Sequence, residues 1–117
     1  GGMRTNDLRR GGAAATGHLT ASGDTTLVAA PGAGRRIVVS YLSNQNNTTT
    51  DITVITKAGA TAIDTLLLDT GVRGRVLTLS GEDAWSLPEN SALIQNLSAA
   101  GDVLYTVRWF VESTEGI

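Results

Sequence analysis

Short runs of Thr, Val, Ile and Leu recur along this chain, and Gly, Asn, Asp and Pro interrupt them at spacings of about 8 to 12 residues. The clearest run is "SALIQNLSAAGDVLYTVRWFVES" over residues 91–113, which alternates apolar and polar positions through most of its length. A period of two places successive side chains on opposite faces of a β-strand. Many short strands at this spacing are typical of a β-sandwich or a barrel, so little of the chain is left for helices.

The same pattern predicts eight strands. They lie near residues 18–21, 25–30, 35–43, 50–57, 62–68, 74–80, 91–98 and 102–112. Alanines raise the helix propensity of residues 58–68, but Thr61, Thr65 and the following Asp-Thr-Gly favour a strand and a turn there. We therefore predict an all-β fold, an antiparallel two-sheet sandwich of about eight strands. A jelly roll is the favoured topology and an immunoglobulin-like Greek key is the alternative.

We expect one face of the closing strand to be buried and the other face to be only partly exposed to solvent. Its odd positions are mostly apolar, as a strand with one face on a core requires, and predict the core residues Val103, Tyr105, Val107, Trp109 and Val111. On the even face Leu104 and Phe110 interrupt polar residues, so we expect a loop or another subunit to cover it.

The N-terminal region differs in composition from the rest. Residues 1–17 hold three arginines against one aspartate, then "GGAAATG", with no period and no bulky apolar anchor. We predict an extended N-terminal arm over 1–17 and a single sandwich domain over 18–117. The arm is either a solvated tail or a segment that orders against a partner surface.

The residues needed for most catalytic chemistry are scarce. The chain has one histidine, His18, and no cysteine, which disfavours both a zinc site and a nucleophilic triad. The acidic residues most open to a metal, Asp51, Asp64, Asp69, Glu82 and Asp83, lie in separate turns without calcium-loop spacing. "PGAGRR" leads into the strand-like "IVVSYL" and not into a helix, so it is better interpreted as a tight turn than as a phosphate loop. We predict that the protein is not an enzyme and has no cofactor, no metal site and no small-molecule substrate.

Charge and hydropathy bear on the partners. A net charge of −2 and only five aromatic residues disfavour a nucleic-acid partner. No apolar run approaches the roughly 20 residues of a membrane helix, and the start "GGMRTNDLRRGG" lacks the apolar middle of a secretory signal. We expect a protein that is not exported and that has neither nucleic-acid nor membrane partners.

Two blocks of sequence carry a family resemblance. "ASGDTTLVAAPGAGRRIVVSYLSN" (21–44) resembles the opening, and "AWSLPENSALIQNLSAAGDVLYTVRWFVE" (84–112) the close, of a small module that recurs in tailed bacteriophages. The blocks cover roughly half of the chain and are structural signatures without catalytic content. The sequence departs from that module in its closing strand, where "RWF" stands in place of a smaller residue and Tyr.

The resemblance implies a jelly-roll or tumour-necrosis-factor-like sandwich that forms trimers, on phage heads as a decoration (cement) protein or within tail fibres. Our leading hypothesis is a trimeric decoration protein that is made in the host cytoplasm and bound to the major capsid protein on the outer surface of the head. The expected capsid-docking arm contains Arg4, Leu8, Arg9 and Arg10, and the expected trimer contact contains Tyr41, Leu104 and Phe110.

Two other functions remain open from the sequence. A receptor- or carbohydrate-binding module of a tail or fibre would use the loops "NQNNTTTD" and "GEDAWSLPEN", with Trp85 as a platform on which a sugar ring stacks. The alternative for Trp85 is that it plugs one end of the sandwich. An enzyme, for instance a depolymerase fragment, is the third possibility, but no residues can be assigned to its chemistry.

Overall fold

The computed structural model describes residues 12–114, and the described chain is built almost entirely from strands. It contains nine strands and one short 3-10 turn, Gly81–Asp83. The strands are β1 (Ala13–Leu19), β2 (Gly23–Val28), β3 (Arg35–Asn46), β4 (Ile52–Ala58), β5 (Thr61–Leu68), β6 (Gly74–Thr78), β7 (Trp85–Ser86), β8 (Leu93–Leu97) and β9 (Val103–Ser113).

Two antiparallel sheets form a sandwich. The first sheet has the order β1-β9-β3-β6, with β7 also paired to β3, and the second has the order β2-β8-β4-β5. The first strand thus pairs with the last, β2 with β8, β3 with β6 and β7, and β4 with β5. This nesting is that of one long antiparallel hairpin rolled over itself, which is the jelly roll. The predicted all-β sandwich with jelly-roll topology is confirmed.

The start of the sandwich lies earlier than the sequence indicated. Residues 13–17 were assigned to the arm, but they belong to β1, which pairs with β9 from Leu19↔Val103 to Ala13↔Trp109. At Gly17 a neighbour fills the space that a side chain would take, since a Cβ there would stand 3.0 Å from Cε2 of Tyr105. A larger residue at 17 would displace that ring, so small size here is a packing requirement.

Two clusters of buried residues fill the space between the sheets. One contains Ile37, Val39, Leu42, Ala58, Leu79, Leu87, Leu93 and Val107, and the other contains Leu19, Ile52, Val54, Leu66, Leu68, Leu97 and Val103. Residues of both sheets contribute to each cluster, so apolar burial is what joins the two layers.

The five predicted core positions of the closing strand differ in burial. Val103 and Val107 are fully buried, while Tyr105 and Trp109 are partly buried and pack against the core clusters. Val111 was predicted wrongly, because 44% of its surface is exposed. Among the described residues, β1 pairs with β9 only as far as Trp109, and β3 is the strand that flanks Val111.

Polar side chains also connect the sheets inside the core. Asn44 of β3 and Gln95 of β8 exchange amide hydrogen bonds, with Nδ2 of Asn44 donating to Oε1 of Gln95 at 2.8 Å and Nε2 of Gln95 donating to Oδ1 of Asn44 at 2.9 Å. Nε2 of Gln95 also donates to Oγ1 of Thr56, at 3.1 Å. All three residues are at most 4% exposed. Buried amide groups need hydrogen-bonding partners, and Asn44 and Gln95 meet only when the two sheets are aligned as they are here. The bridge therefore favours one alignment of the two sheets.

Candidate interaction surfaces

The three residues predicted for the trimer contact share one face of the protein. Leu104 and Phe110 lie on the face of β9 opposite to Val103 and Val107, and this is the outer face of the first sheet. Tyr41 lies on β3 opposite Arg108, beside them. All three are half-buried, and Leu104 and Phe110 are six residues apart, which is about 20 Å along a strand. They share a face but do not form one compact patch.

Contacts within the chain occupy much of this outer face. The Arg108 guanidinium lies 5.3 Å from the centre of the Tyr41 ring, within the range of a cation–π interaction. Thr16 and Thr106 are hydrogen-bonded through their hydroxyls at 3.0 Å. Phe110 pairs across the strands with Val38, which is 4% exposed. Contacts within the single chain therefore cover part of this face, which retains apolar groups and is open to solvent at Ala14, Thr16 and Arg108.

The predicted docking-arm residues Arg4, Leu8, Arg9 and Arg10 lie outside the described residues. The structure does show where that segment joins the sandwich. The described chain begins at Gly12, whose added Cβ would lie 3.4 Å from the carbonyl oxygen of Trp109, and then enters β1. Residues 3–11 are thus attached at the outermost strand of the first sheet.

A second surface lies on the opposite side of the sandwich, where β5 and β6 form the last strands of the two sheets. Among the described residues, five large hydrophobic side chains are exposed, and four of them lie on β5, β6 or the loop between them. These four are Ile63, Leu67, Val72 and Val76. We call residues 61–78 the β5–β6 side.

The charges of the β5–β6 side are bound within the chain. Asp64 and Arg75 form an ion pair between the two sheets, and Arg73 donates to the backbone carbonyls of Asn46 and Thr48. The backbone amides of Val72 and Gly71 donate to the carboxylate of Asp69 and lower its pKa. The two acids and the two arginines of this segment also cancel in net charge.

A depression of about 270 Å³ lies next to Ile63, and its lining is mostly apolar: Ala58, Ile63, Ala84, Trp85, Ser86, Leu87 and Pro88. The Trp85 side chain is partly buried and packs against the first core cluster, as the plugging interpretation expects, while it also lines this depression. The other predicted recognition loop begins later than residue 44, because Asn44, Gln45 and Asn46 belong to β3 and the two asparagines are buried.

Other ionisable groups form pairs on the surface. His18 Nδ1 lies 2.6 Å from Asp102 Oδ1, and Lys57 pairs with Asp24 at 3.0 Å. Hydrogen bonds from Asn96 and Lys57 lower the pKa of Asp24. Within residues 12–114, no group of three or more His, Cys, Asp or Glu side chains is placed to hold a metal ion. In the same part of the chain, no helix has the length and apolar character needed to cross a membrane.

Comparison with known proteins gives little information about this chain. No known family matches the chain, and no curated protein does. One solved structure that it resembles is described as "Bacillus endospore appendages form a novel family of disulfide-linked pili". The two chains are 17% identical over 85% of this chain and 86% of the other, with a TM-score of 0.44. A likeness this distant carries no argument about function.

Proposed function

We propose that this protein is a bacteriophage capsid decoration protein. It binds the major capsid protein on the outer surface of the head as a homotrimer and stabilises the shell. It is made in the host cytoplasm and acts mechanically, not as an enzyme. Surface buried across capsid subunit boundaries adds free energy that must be lost before the shell opens.

The observation that carries this proposal is the place where the arginine-bearing segment joins the sandwich. Residues 3–11 hold Arg4, Arg9 and Arg10, and they lead into β1, the outermost strand of the first sheet. From an outermost strand the segment can extend over a neighbouring protein without crossing its own sandwich. Three copies in a trimer would present three such segments to a repeating lattice, which raises the effective affinity of each.

The rest of the molecule suits a mechanical role. Its core is held by apolar burial and by the Asn44–Gln95 amide bridge between the sheets. The two resembling blocks, 21–44 and 84–112, fall on β2, β3, β7, β8 and β9 and on the turns beside them. The resemblance therefore concerns the framework of the jelly roll, and the docking segment lies outside it.

The arm can be tested by deletion of residues 3–11, which leaves β1 whole. A deletion that reached residue 16 would also remove part of β1 and confound the result. We expect retention on purified heads to fall at least about tenfold, because even one hydrogen bond to a charged group contributes about 1.5 kcal/mol or more. Binding would be measured by co-sedimentation with heads that lack the protein.

The matched control replaces Arg4, Arg9 and Arg10 together by lysine, against a triple replacement by alanine. The lysine variant keeps the positive charge, so it should retain most of the binding if long-range attraction dominates. If bidentate contacts dominate, the lysine variant should lose binding as the alanine variant does, because such contacts require arginine. Full occupancy by both the deletion and the alanine variant would remove the arm from the mechanism.

A second candidate is a carbohydrate-binding module of a tail or fibre, and the depression beside Trp85 is the observation that favours it. An aromatic face in a shallow apolar depression can hold a sugar ring. Glycan binding that is lost in Trp85→Ala, while the oligomer and the circular dichroism of the sandwich persist, would support this candidate over decoration.

A further inference from the structure

We infer that copies of this chain contact one another through the β5–β6 side, in a head-to-tail arrangement. The inference rests on the proposed homotrimer and assigns its contact surface. It places that contact on the β5–β6 side and not on β9, where Leu104 and Phe110 lie. Tyr41 of β3 borders this contact, because it pairs with Thr78 of β6, two residues from Val76.

The exposed apolar side chains of the β5–β6 side point to two different flanks. Leu66 and Leu68 are buried, so Leu67 points away from the core on the outer face of the second sheet, and it is 53% exposed. On β6, Leu77 packs against the core, so Val76 points outward from the first sheet, and it is 63% exposed. Leu67 and Val76 therefore flank the same side of the sandwich on opposite faces.

The edges of β5 and β6 are protected against pairing with other strands. Edge strands are commonly protected by lysine, proline, β-bulges or charged residues that point inward. β5 and β6 have no lysine or proline, but Asp64 and Arg75 are paired between the two sheets, and β5 is irregular opposite the step from Thr56 to Lys57. The inferred contact is therefore made by the outward-facing side chains Leu67 and Val76 and not by strand pairing.

The charge of this side selects the kind of partner. Asp64, Asp69, Arg73 and Arg75 all have partners within the chain and sum to zero. A nucleic acid, an anionic membrane or a charged capsid surface gains nothing electrostatic from such a side. An equally neutral and apolar surface fits it, and a second copy of this chain provides one.

The proposed homotrimer selects the type of contact. A twofold contact would bring the same patch of both copies together, whereas contact between the Leu67 flank of one copy and the Val76 flank of the next joins two different patches. Such head-to-tail contacts form a closed ring when the rotation between neighbours closes, and three copies form the smallest ring beyond a dimer. The Leu67–Val76 contact is therefore compatible with a homotrimer.

Thiol cross-linking tests the arrangement directly, because the chain has no cysteine. Leu67→Cys and Val76→Cys are prepared as single variants and also co-expressed, and each sample is treated with a short bis-maleimide. We expect cross-linked dimers in the co-expressed sample and only single chains with either variant alone. Cross-linking of either variant with itself would overturn the head-to-tail arrangement, and no cross-linking in any sample would overturn the assigned surface.

Charge substitution gives a second readout. Leu67→Asp should lower the molar mass in light scattering from three times the 12.1 kDa chain mass toward one, with the circular dichroism of a folded sandwich. Val111→Asp is the matched control, because Val111 is the fifth exposed large hydrophobic residue and lies on β9, away from this side. A trimer that survives Leu67→Asp but dissociates in Phe110→Asp would overturn the inference. That result would leave the proposed decoration function unaffected, because the decoration proposal is contradicted only if the trimer does not bind heads.

Discussion

Replacement of Leu93 by alanine is expected to lower the free energy of unfolding by about 2–5 kcal/mol, the range for truncating a buried leucine. Leu93 has no exposed surface, and it lies on β8, which is paired on both sides, with β2 and β4. Both neighbours hold the backbone in place, so the structure can collapse little around the cavity, and the loss should fall in the upper part of the range.

Urea unfolding followed by circular dichroism measures this change, at one fixed protein concentration because association contributes to stability. Val111→Ala is the control, and its expected effect is within about 0.5 kcal/mol, as for surface substitutions in general. Equal stability losses in the two variants would mean that Leu93 is not in a packed core and that the assigned sandwich is incorrect.

The amide bridge between the sheets should behave as a coupled pair. Gln95→Leu removes the hydrogen-bonding partner of Asn44 and of Thr56 inside the core. We expect a loss of about 1–3 kcal/mol for each buried group left without a partner. Asn44→Leu should cost a similar amount, because it leaves the Gln95 amide without its reciprocal bonds.

The double variant Asn44→Leu/Gln95→Leu distinguishes a specific bridge from general packing. Replacing both partners by apolar groups can be nearly neutral, so the double variant should be more stable than the sum of the single losses predicts, by about 1 kcal/mol or more. Thr56→Val is a milder control, because it removes only one of the bonds of Gln95. Additive losses in the double-mutant cycle would show that the two amides do not act together.

Much of the fold could be predicted from periodicity alone. The alternation in β9 correctly placed Val103 and Val107 in the core, since the side-chain period of a strand follows from backbone geometry. The same rule failed for Val111, because burial also depends on which strands lie alongside, and among the described residues β1 accompanies β9 only as far as Trp109. Parity gives the face of a strand but not the length over which its neighbours extend.

The first part of β1 and the whole of β7 could not be found from the sequence, for different reasons. The start of β1 has small residues where a strand usually shows bulky ones, and at Gly17 the Tyr105 ring occupies the space that a side chain would fill. β7 has two residues, Trp85 and Ser86, which is too short for any period to be visible. Both depend on contacts with residues more than 40 positions away, and a local pattern carries no information about such contacts.

The exposed apolar side chains were harder to predict than the core. The sequence drew attention to Leu104 and Phe110 because they interrupt a polar face. In the structure the side chains of Leu104 and Phe110 are half-buried, and Phe110 pairs across the strands with Val38. The exposure of Leu67 and Val76 follows from the positions of β5 and β6 at the ends of their sheets. Strand order decides that exposure, and the sequence did not specify strand order.

Locating the protein in intact virions is the most direct test of the decoration proposal. Antibody labelling or difference imaging of particles with and without the protein would be read for its position. Density distributed over the outer surface of the head in threefold units is the expected result. Density confined to the tail or its fibres would contradict the account.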